Sequence, residues 1–180
     1  MGETLTQSEL ILRRADWKRN GRRVVFAAGA FDLLHPGHIR LLEQARSYGD
    51  VLVVTIQDDA AVKAAHAAAT SASVTQHARP INPACERAEI LAALAAVDFV
   101  TVFDSESPTA LIAQLQPEMI VEGQARPLAS SGSEFPATQP TNQALPKIIH
   151  IPLEPGYSTT SLLDRIQQLR RQNPPPQPNA

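Results

Sequence analysis

The segment that most constrains the fold is an unbroken apolar run at residues 51–56, Val51-Leu52-Val53-Val54-Thr55-Ile56. A strand with one solvated face alternates apolar and polar residues, whereas this run offers no alternate positions to charged side chains. Strands that are buried on both faces occur mainly in parallel sheets that are covered by helices. The run therefore predicts a central strand of such a sheet.

The rest of the chain alternates between strand and helix patterns. Further strands are predicted at residues 24–28, 99–103, 119–121 and 148–151. Helices are predicted at residues 6–18, from Pro36 to near Gly49, and at 86–96, 108–115 and 159–171. Regular alternation of this kind is typical of an α/β protein, and we predict a single-domain parallel sheet with helices on both faces.

Length, charge and cysteine content exclude several classes of protein. The chain has 180 residues and a net charge of −2, with no basic stripe that would indicate a nucleic-acid partner. Its apolar runs are strand-sized and its N-terminus has no apolar signal core, so we expect no membrane association and a cytoplasmic location. The single Cys85 excludes an internal disulfide, and near the start of a predicted helix we expect it to have a packing role.

Composition suggests where the main domain begins and ends. We predict an N-terminal helical extension at residues 1–22, the main domain at 23–171 and a proline-rich, disordered tail at 172–180. Within the main domain, residues 64–78 and 125–146 have loop-like composition. An alanine-rich helix is the alternative for residues 64–69.

Two histidines lie between the strand predicted at residues 24–28 and the helix that follows it. The segment is Gly29-Ala30-Phe31-Asp32-Leu33-Leu34-His35-Pro36-Gly37-His38. Pro36 suits a first helical turn, and Gly37 lets a phosphate approach the backbone. Because a helix N-terminus attracts anions, we expect both imidazoles to face one phosphate. A pair of capping or surface histidines is the alternative, and a zinc site would lack a third ligand nearby.

A second segment, Gly156-Tyr157-Ser158-Thr159-Thr160, leads into the last predicted helix. Serine and threonine at a helix start cap free N–H groups, which is the structural interpretation. The same groups can also hold the distal phosphates of a nucleotide. Since parallel sheets bind ligands beyond the carboxyl ends of their strands, we expect both segments to face one crevice.

Together with Arg79-Pro80-Ile81-Asn82 and Glu86-Arg87-Ala88-Glu89, these segments resemble motifs of the cytidylyltransferase-like nucleotidyltransferase superfamily. The resemblance spans roughly residues 23–170 and is strongest to the adenylyltransferase domains of ADP-heptose synthases. It implies a Rossmann-like fold and transfer of AMP from ATP to a sugar 1-phosphate, with heptose 1-phosphate as the expected acceptor. Mg²⁺ would accompany the nucleotide, and the product would serve lipopolysaccharide heptose synthesis.

The resemblance also implies roles for individual residues. His35 and His38 would be the catalytic pair. Nucleotide-binding positions would be Ala30, Phe31, Gly37, Gly123, Ser158, Thr159 and Thr160. Acceptor-binding or supporting positions would be Asp32, Lys63, Arg79 and Arg87, with Asp32 near the acceptor or the metal. Protein side chains alone would not form a metal site. For Arg87, a surface ion pair with Glu86 or Glu89 is the alternative.

Three positions depart from the family pattern. Ala30 replaces a cysteine, which is a mild change. Members of the family have a lysine after the strand that corresponds to residues 51–56, and in this chain only Lys63 or His66 could replace it. Glu122 stands where the family has another lysine. A carboxylate near a triphosphate raises the electrostatic energy unless a cation intervenes.

The sequence leaves three functions open. The first is the adenylyltransferase described above, and the second is a nucleotide-binding paralogue with weak or no catalysis, suggested by the missing cations. The third is a CTP-dependent glycerol-3-phosphate cytidylyltransferase. The predicted partners are ATP or CTP and a sugar phosphate, with neither nucleic acid nor membrane, and the apolar N-terminal helix could serve a homodimer.

Overall fold

The computed structural model describes residues 1–69, 78–103, 108–124, 146–152 and 154–173. The strands in these ranges are β1 (Glu3–Thr4), β2 (Val24–Gly29), β3 (Val51–Gln57), β4 (Phe99–Phe103), β5 (Met119–Gln124) and β6 (Lys147–Pro152). The helices are α1 (Gln7–Arg19), α2 (Pro36–Ser47), α3 (Asp59–Ala69), α4 (Ala84–Ala92), α5 (Thr109–Leu115) and α6 (Thr159–Gln172). The segments predicted as loop or tail at 70–77, 125–145 and 174–180 lie outside the described residues, and the predicted domain boundaries stay predictions.

The six strands form one sheet in the order β1-β4-β3-β2-β5-β6, and every described pair is parallel. β3 is buried on both faces, as its sequence predicts. Leu52, Val54 and Ile56 pack in the cluster that α2 and α4 cover. Val51 and Val53 pack on the opposite face with α1 and α5. The predicted parallel sheet with helices on both faces is therefore confirmed.

The order of the strands determines where a ligand can bind. From β2 the chain proceeds through β3 to β4 on one side of the sheet, and then crosses to β5 and β6 on the other. The strand order thus reverses beside β2, and crevices at such switch points are where open parallel sheets bind ligands. Both α2 and α6 begin just after a strand, at this carboxyl edge. Among the described residues, no helix is both long enough and apolar enough to cross a bilayer.

Three sequence interpretations of local structure are wrong. Residues 64–69 are not loop, because the alanine-rich stretch continues α3, as the alternative interpretation proposed. α4 is helical over Ala84–Ala92 rather than 86–96. The strand at Glu3–Thr4 was not predicted, since two residues carry too little pattern to be recognised.

Helical spacing places two isoleucines on the apolar faces of their helices, but both side chains are exposed. Ile39 on α2 and Ile90 on α4 keep 38% and 43% of their surface accessible, while Leu42 and Leu91 on the same helices are fully buried. Helical spacing defines a face only to within a turn, so it does not identify which residues at its margin reach the core.

The buried Arg14 joins α1 to the segment between α5 and β5. Thr6 and Glu9 form a capping box that starts the helix, and Leu10 and Trp17 bury its apolar face. Arg14 then donates to the carbonyls of Leu115 and Gln116 at 2.8 and 2.9 Å, where α5 ends. Its remaining contact is with the Glu118 carboxylate at 2.6 Å. One guanidinium thereby satisfies helix-terminal carbonyls that would otherwise have no partner.

We expect Arg14→Met to lower the free energy of unfolding by about 2 kcal/mol, because buried carbonyls and a half-exposed carboxylate lose their donor. Urea unfolding measures the loss. Arg19→Met on the exposed side of the same helix is the control, and its effect should stay within about 0.5 kcal/mol. Equal effects of the two substitutions would contradict the role of Arg14.

Candidate functional site

The two histidines lie at the N-terminus of α2. His35 is the N-cap, in extended conformation, and its Nδ1 accepts the backbone N–H of His38 at 3.3 Å. Pro36 is the first residue of the helix, as the sequence predicts. Because Nδ1 of His35 accepts a hydrogen bond, the neutral ring carries its proton on Nε2. His35 therefore caps the helix and keeps one N–H donor for another partner.

The imidazole rings stack on each other rather than pointing apart. Their centroids are 3.7 Å apart and the ring planes differ by 16°. The ring of Phe31 packs against His38 on the other side, at 5.3 Å. Phe31 has a positive φ of 45°, which is unfavourable for a residue with a side chain. Burial of its ring and the absence of a side chain at Gly29, where a Cβ would lie 2.9 Å from that ring, allow this conformation.

Burial keeps both imidazoles neutral. Desolvation, reinforced by the charge that His35 would carry, lowers the pKa of His38 to about 4. Desolvation also lowers the pKa of His35, although a backbone hydrogen bond partly opposes it. The Nδ1 atom of His38 is buried and has no hydrogen-bond partner among the described residues, so nothing there favours the protonated ring. At neutral pH the pair acts through hydrogen bonds rather than through positive charge.

The structure brings the start of α6 against the start of α2. A Cβ added at Gly37 would lie 3.2 Å from the Cβ of Tyr157 and 3.1 Å from Nδ1 of His35. Gly37 therefore permits a close approach between two protein segments. Ser158 is the N-cap of α6 and accepts the Ser161 N–H at 3.0 Å, which is the capping role.

Asp32 lies beneath this arrangement and is 3% exposed. One carboxylate oxygen accepts the N–H groups of Ile81 and Asn82 at 2.8 and 3.0 Å, and the other lies 3.1 Å from Nε of Arg79. These contacts tie the segment at residues 79–82 to the loop before α2. Asp32 thus joins two segments beside the histidines, and its role near the acceptor or the metal stays a prediction.

Arg87 lies in the same network, and its side chain is fully buried. It donates to the carbonyl of Ala30 at 2.6 Å, to that of Asn82 at 2.9 Å and to the carboxylate of Asp59 at 2.7 Å. The alternative of a surface ion pair with Glu86 or Glu89 is wrong, because α4 turns Arg87 towards the sheet edge. Arg87 links the loop after β2, the segment before α4 and the start of α3.

The remaining predicted positions surround the carboxyl edge of the sheet. Gly123 and Glu122 lie at the end of β5, and Glu122 is paired with His150 of β6 at 3.1 Å. The carboxylate that replaces the family's lysine therefore has a basic partner. Lys63 lies on α3 and is exposed.

Thr159 and Thr160 form the first turn of α6, and Cys85 is exposed near the start of α4. Sequence reasoning missed three residues that contact one another beside the histidine pair. Arg40 pairs with Glu154 and lies over the ring of Tyr157, which faces His35. Only the aromatic residue inside the Gly156–Thr160 motif offered a signal, because the contacts of Arg40 and Glu154 join segments that are distant in sequence.

Comparison with known proteins identifies a family for this chain. Residues 26–165 match the protein family described as Cytidylyltransferase-like. The bifunctional protein HldE of Koribacter versatilis is 40% identical over 163 residues, which cover 91% of this chain and 31% of that protein. The bifunctional protein HldE of Rhodopseudomonas palustris (strain HaA2) is 36% identical with the same coverage. The chain thus spans less than a third of the length of these relatives.

One solved structure shares the fold. The crystal structure of the lipopolysaccharide core biosynthesis protein from Thermoplasma volcanium GSS1 has a TM-score of 0.53 and 22% sequence identity to this chain. The match covers 74% of this chain and 99% of that protein. At this identity, the similarity establishes the architecture of the sheet and its helices.

The lowered pKa of His38 predicts a pH dependence of stability. In the unfolded chain the imidazole titrates near its ordinary pKa of 6.5, and in the folded protein near 4. Between these values the unfolded state binds more protons, so stability is complete above the upper value and falls as the pH drops towards the lower one. His38→Asn should lose less stability than the wild type between pH 7 and pH 4.5. Urea unfolding at both pH values tests this, and equal losses would contradict it.

Arg87→Lys should lower the free energy of unfolding by about 2–4 kcal/mol, because one ammonium group cannot reach three acceptors in different directions. Thermal unfolding measures the effect. Glu89→Gln, on the exposed side of the same helix, is the matched control and should be nearly neutral. A neutral Arg87→Lys substitution would show that the three contacts do not hold the loops together.

Proposed function

The chain belongs to the cytidylyltransferase-like family, and we propose that it is a nucleotidyltransferase that transfers AMP from ATP to a sugar 1-phosphate and releases pyrophosphate. Heptose 1-phosphate is the proposed acceptor, because the sequence motifs resemble those of ADP-heptose synthases. The observation that carries the proposal is the stacked, neutral histidine pair at the N-terminus of α2, in contact with the segment that begins α6.

The proposed reaction needs little covalent chemistry from the protein. A phosphate oxygen of the acceptor attacks the α-phosphorus of ATP, and the bond to the bridging oxygen breaks as pyrophosphate leaves. The acceptor is already an anion, so no base has to remove a proton. Negative charge accumulates on the α-phosphoryl oxygens, and donors positioned for that charge lower the barrier.

Neutral imidazoles suit this task. The Nε2–H of His35 is available because its Nδ1 is already occupied by the His38 N–H. In this proposal His35 and His38 each donate a hydrogen bond to the α-phosphoryl oxygens, and the partial positive charge of the α2 N-terminus adds to them. Little reorganisation is needed, because Phe31 and the stacking of the two rings already fix their planes.

The N-terminus of α6 supplies the second half of the proposed cradle. Thr159 and Thr160 lie in its first turn, where backbone N–H groups lack helical acceptors. The two helix N-termini approach each other at Gly37 and Tyr157, so in this proposal they bind consecutive phosphates of one nucleotide. Thr159 and Thr160 would bind the β- and γ-phosphates, and the backbone at Ala30 and Phe31 would lie beside the nucleoside.

The described residues do not fit a metal ion held by the protein. They contain no group of three or more His, Cys, Asp or Glu side chains arranged to bind one. The Asp32 carboxylate is engaged with two N–H groups and Arg79. Mg²⁺ therefore enters the proposal only as the counter-ion of ATP, as part of the substrate.

A second candidate function is nucleotide binding with weak or no catalysis. It is favoured by Glu122, which stands at the carboxyl end of β5, and by the exposed position of Lys63 on α3. His150 partly compensates the charge of Glu122, but it cannot supply the permanent positive charge of a lysine. A cytoplasmic location and a homodimer stay predictions from the sequence.

The proposed function is tested by pyrophosphate release with ATP, Mg²⁺ and a panel of acceptors, namely heptose 1-phosphate, other sugar phosphates and glycerol 3-phosphate. We expect turnover with ATP and heptose 1-phosphate. His35→Asn and His38→Asn should each lower kcat about 100- to 1000-fold, because each removes one donor to the developing charge.

Thermal unfolding of each variant distinguishes lost chemistry from lost folding, and asparagine at position 35 preserves the ability to cap α2. Turnover with CTP and glycerol 3-phosphate alone would favour a cytidylyltransferase. Calorimetric binding of ATP or CTP without turnover on any acceptor would favour the binding paralogue. Absence of both binding and turnover would refute a nucleotide-dependent function.

A further inference from the structure

We propose that Arg40, Tyr157 and Glu154 form a latch that holds the start of α6 against the start of α2, and thereby positions the segment that binds the distal phosphates. The inference rests on the proposed function and adds positioning residues to it. The three residues come from two segments more than 110 positions apart in the chain, and they meet at the edge of the histidine site.

Tyr157 is the part of the latch that touches the site. Its Cβ fills the space that a side chain at position 37 would occupy. Its ring faces that of His35 at a centroid distance of 6.3 Å, with an angle of 27° between the planes. Phe31, His38, His35 and Tyr157 thus form one series of rings, in which the histidines are the inner members. A shift of Tyr157 would change both the packing of His35 and the position of the helix that follows.

Arg40 contacts the ring of Tyr157. It lies one helical turn after Gly37, on the same side of α2, and its guanidinium lies 5.7 Å from the centre of the Tyr157 ring. The same guanidinium is paired with the carboxylate of Glu154, three residues before Tyr157. A cation that contacts both ends of one short turn restrains that turn more than either contact would alone.

The rest of α6 contributes little to its own anchoring. None of its described residues is buried, and Ile166 and Leu169 keep more than half of their surface exposed. A helix whose side chains are at most partly buried is held less firmly by the core than a helix with fully buried residues. Its start is restrained by strand β6 before it and by the latch, so the latch determines how its first N–H groups face α2.

Because Arg40 and Glu154 are exposed, positioning of α6 can be distinguished from a contribution to the global stability of the protein. The side chains of Arg40 and Glu154 are 54% and 39% exposed, and pairs of this kind contribute little to global stability. Their removal should therefore leave unfolding almost unchanged, while the order of residues 156–162 and the affinity for nucleotide decrease.

The test compares Arg40→Gln, Glu154→Gln and Tyr157→Ala with Arg165→Gln, which replaces an exposed arginine of α6 outside the latch.

In the nucleotide-free protein, the amides of Ser161 and Leu162 should exchange hydrogen faster in the three latch variants. KM for ATP should rise about three- to tenfold in Arg40→Gln and Glu154→Gln, through lost preorganisation, with kcat changed less than about twofold. Arg40→Gln combined with Glu154→Gln should be no worse than Arg40→Gln alone, because Arg40→Gln already removes the ion pair with Glu154. Tyr157→Phe should restore what Tyr157→Ala loses, because the ring makes the contacts.

The outcomes distinguish the latch from the proposed function. If the wild type binds and uses ATP while the three latch variants match Arg165→Gln in exchange and in KM, the latch is refuted and the function stands. If the wild type binds neither ATP nor CTP, the function is refuted, and the positioning role is refuted with it. Faster exchange together with a raised KM, at an unchanged unfolding temperature, supports the latch.

Discussion

The candidate site depends on one buried charge. Arg87 has no exposed side-chain surface, and its three nitrogens reach a carbonyl after β2, a carbonyl before α4 and a carboxylate at the start of α3. A buried guanidinium is tolerated only when its donors are satisfied, so these three segments cannot move independently without exposing an unpaired charge. Asp32 makes the reciprocal arrangement with a negative charge, and both networks meet at Asn82. The loops that carry the site are thereby held together by polar groups where the apolar core ends.

This rigid base explains the conformation of the histidine pair. The Ala30 carbonyl is held by Arg87, and the next residue, Phe31, has a positive φ that surrounding contacts must maintain. The Phe31 ring then supports His38, which stacks on His35. The same packing that fixes the imidazole planes also desolvates the rings and lowers the pKa of both. Positioning and neutrality therefore have a common cause, and together they favour hydrogen bonding to an anion over ion pairing with it.

One departure from the family pattern, Glu122, lies near the end of β5. The Glu122 carboxylate at the end of β5 is paired with His150 of the neighbouring strand, in direct cross-strand register. An imidazole beside Glu122 is not the permanent cation that a lysine at this position would supply. The proposed transfer relies on the histidine pair, whereas the alternative of binding without catalysis relies on Glu122 and the missing lysines.

The sequence by itself determined the layers of the fold and the position of the histidine segment between a strand and a helix. The residues 51–56 run could only be a strand buried on both faces, and the His-Pro-Gly-His segment between a strand and a helix could be located from spacing alone, because both patterns are local. Only the tertiary structure decided that Arg87 is buried rather than on the surface, that Asp32 accepts the N–H groups of Ile81 and Asn82, and that Gly37 accommodates Tyr157. Those outcomes depend on groups that are far apart in the chain, and no local pattern specifies which distant partner will satisfy a charge or fill a space.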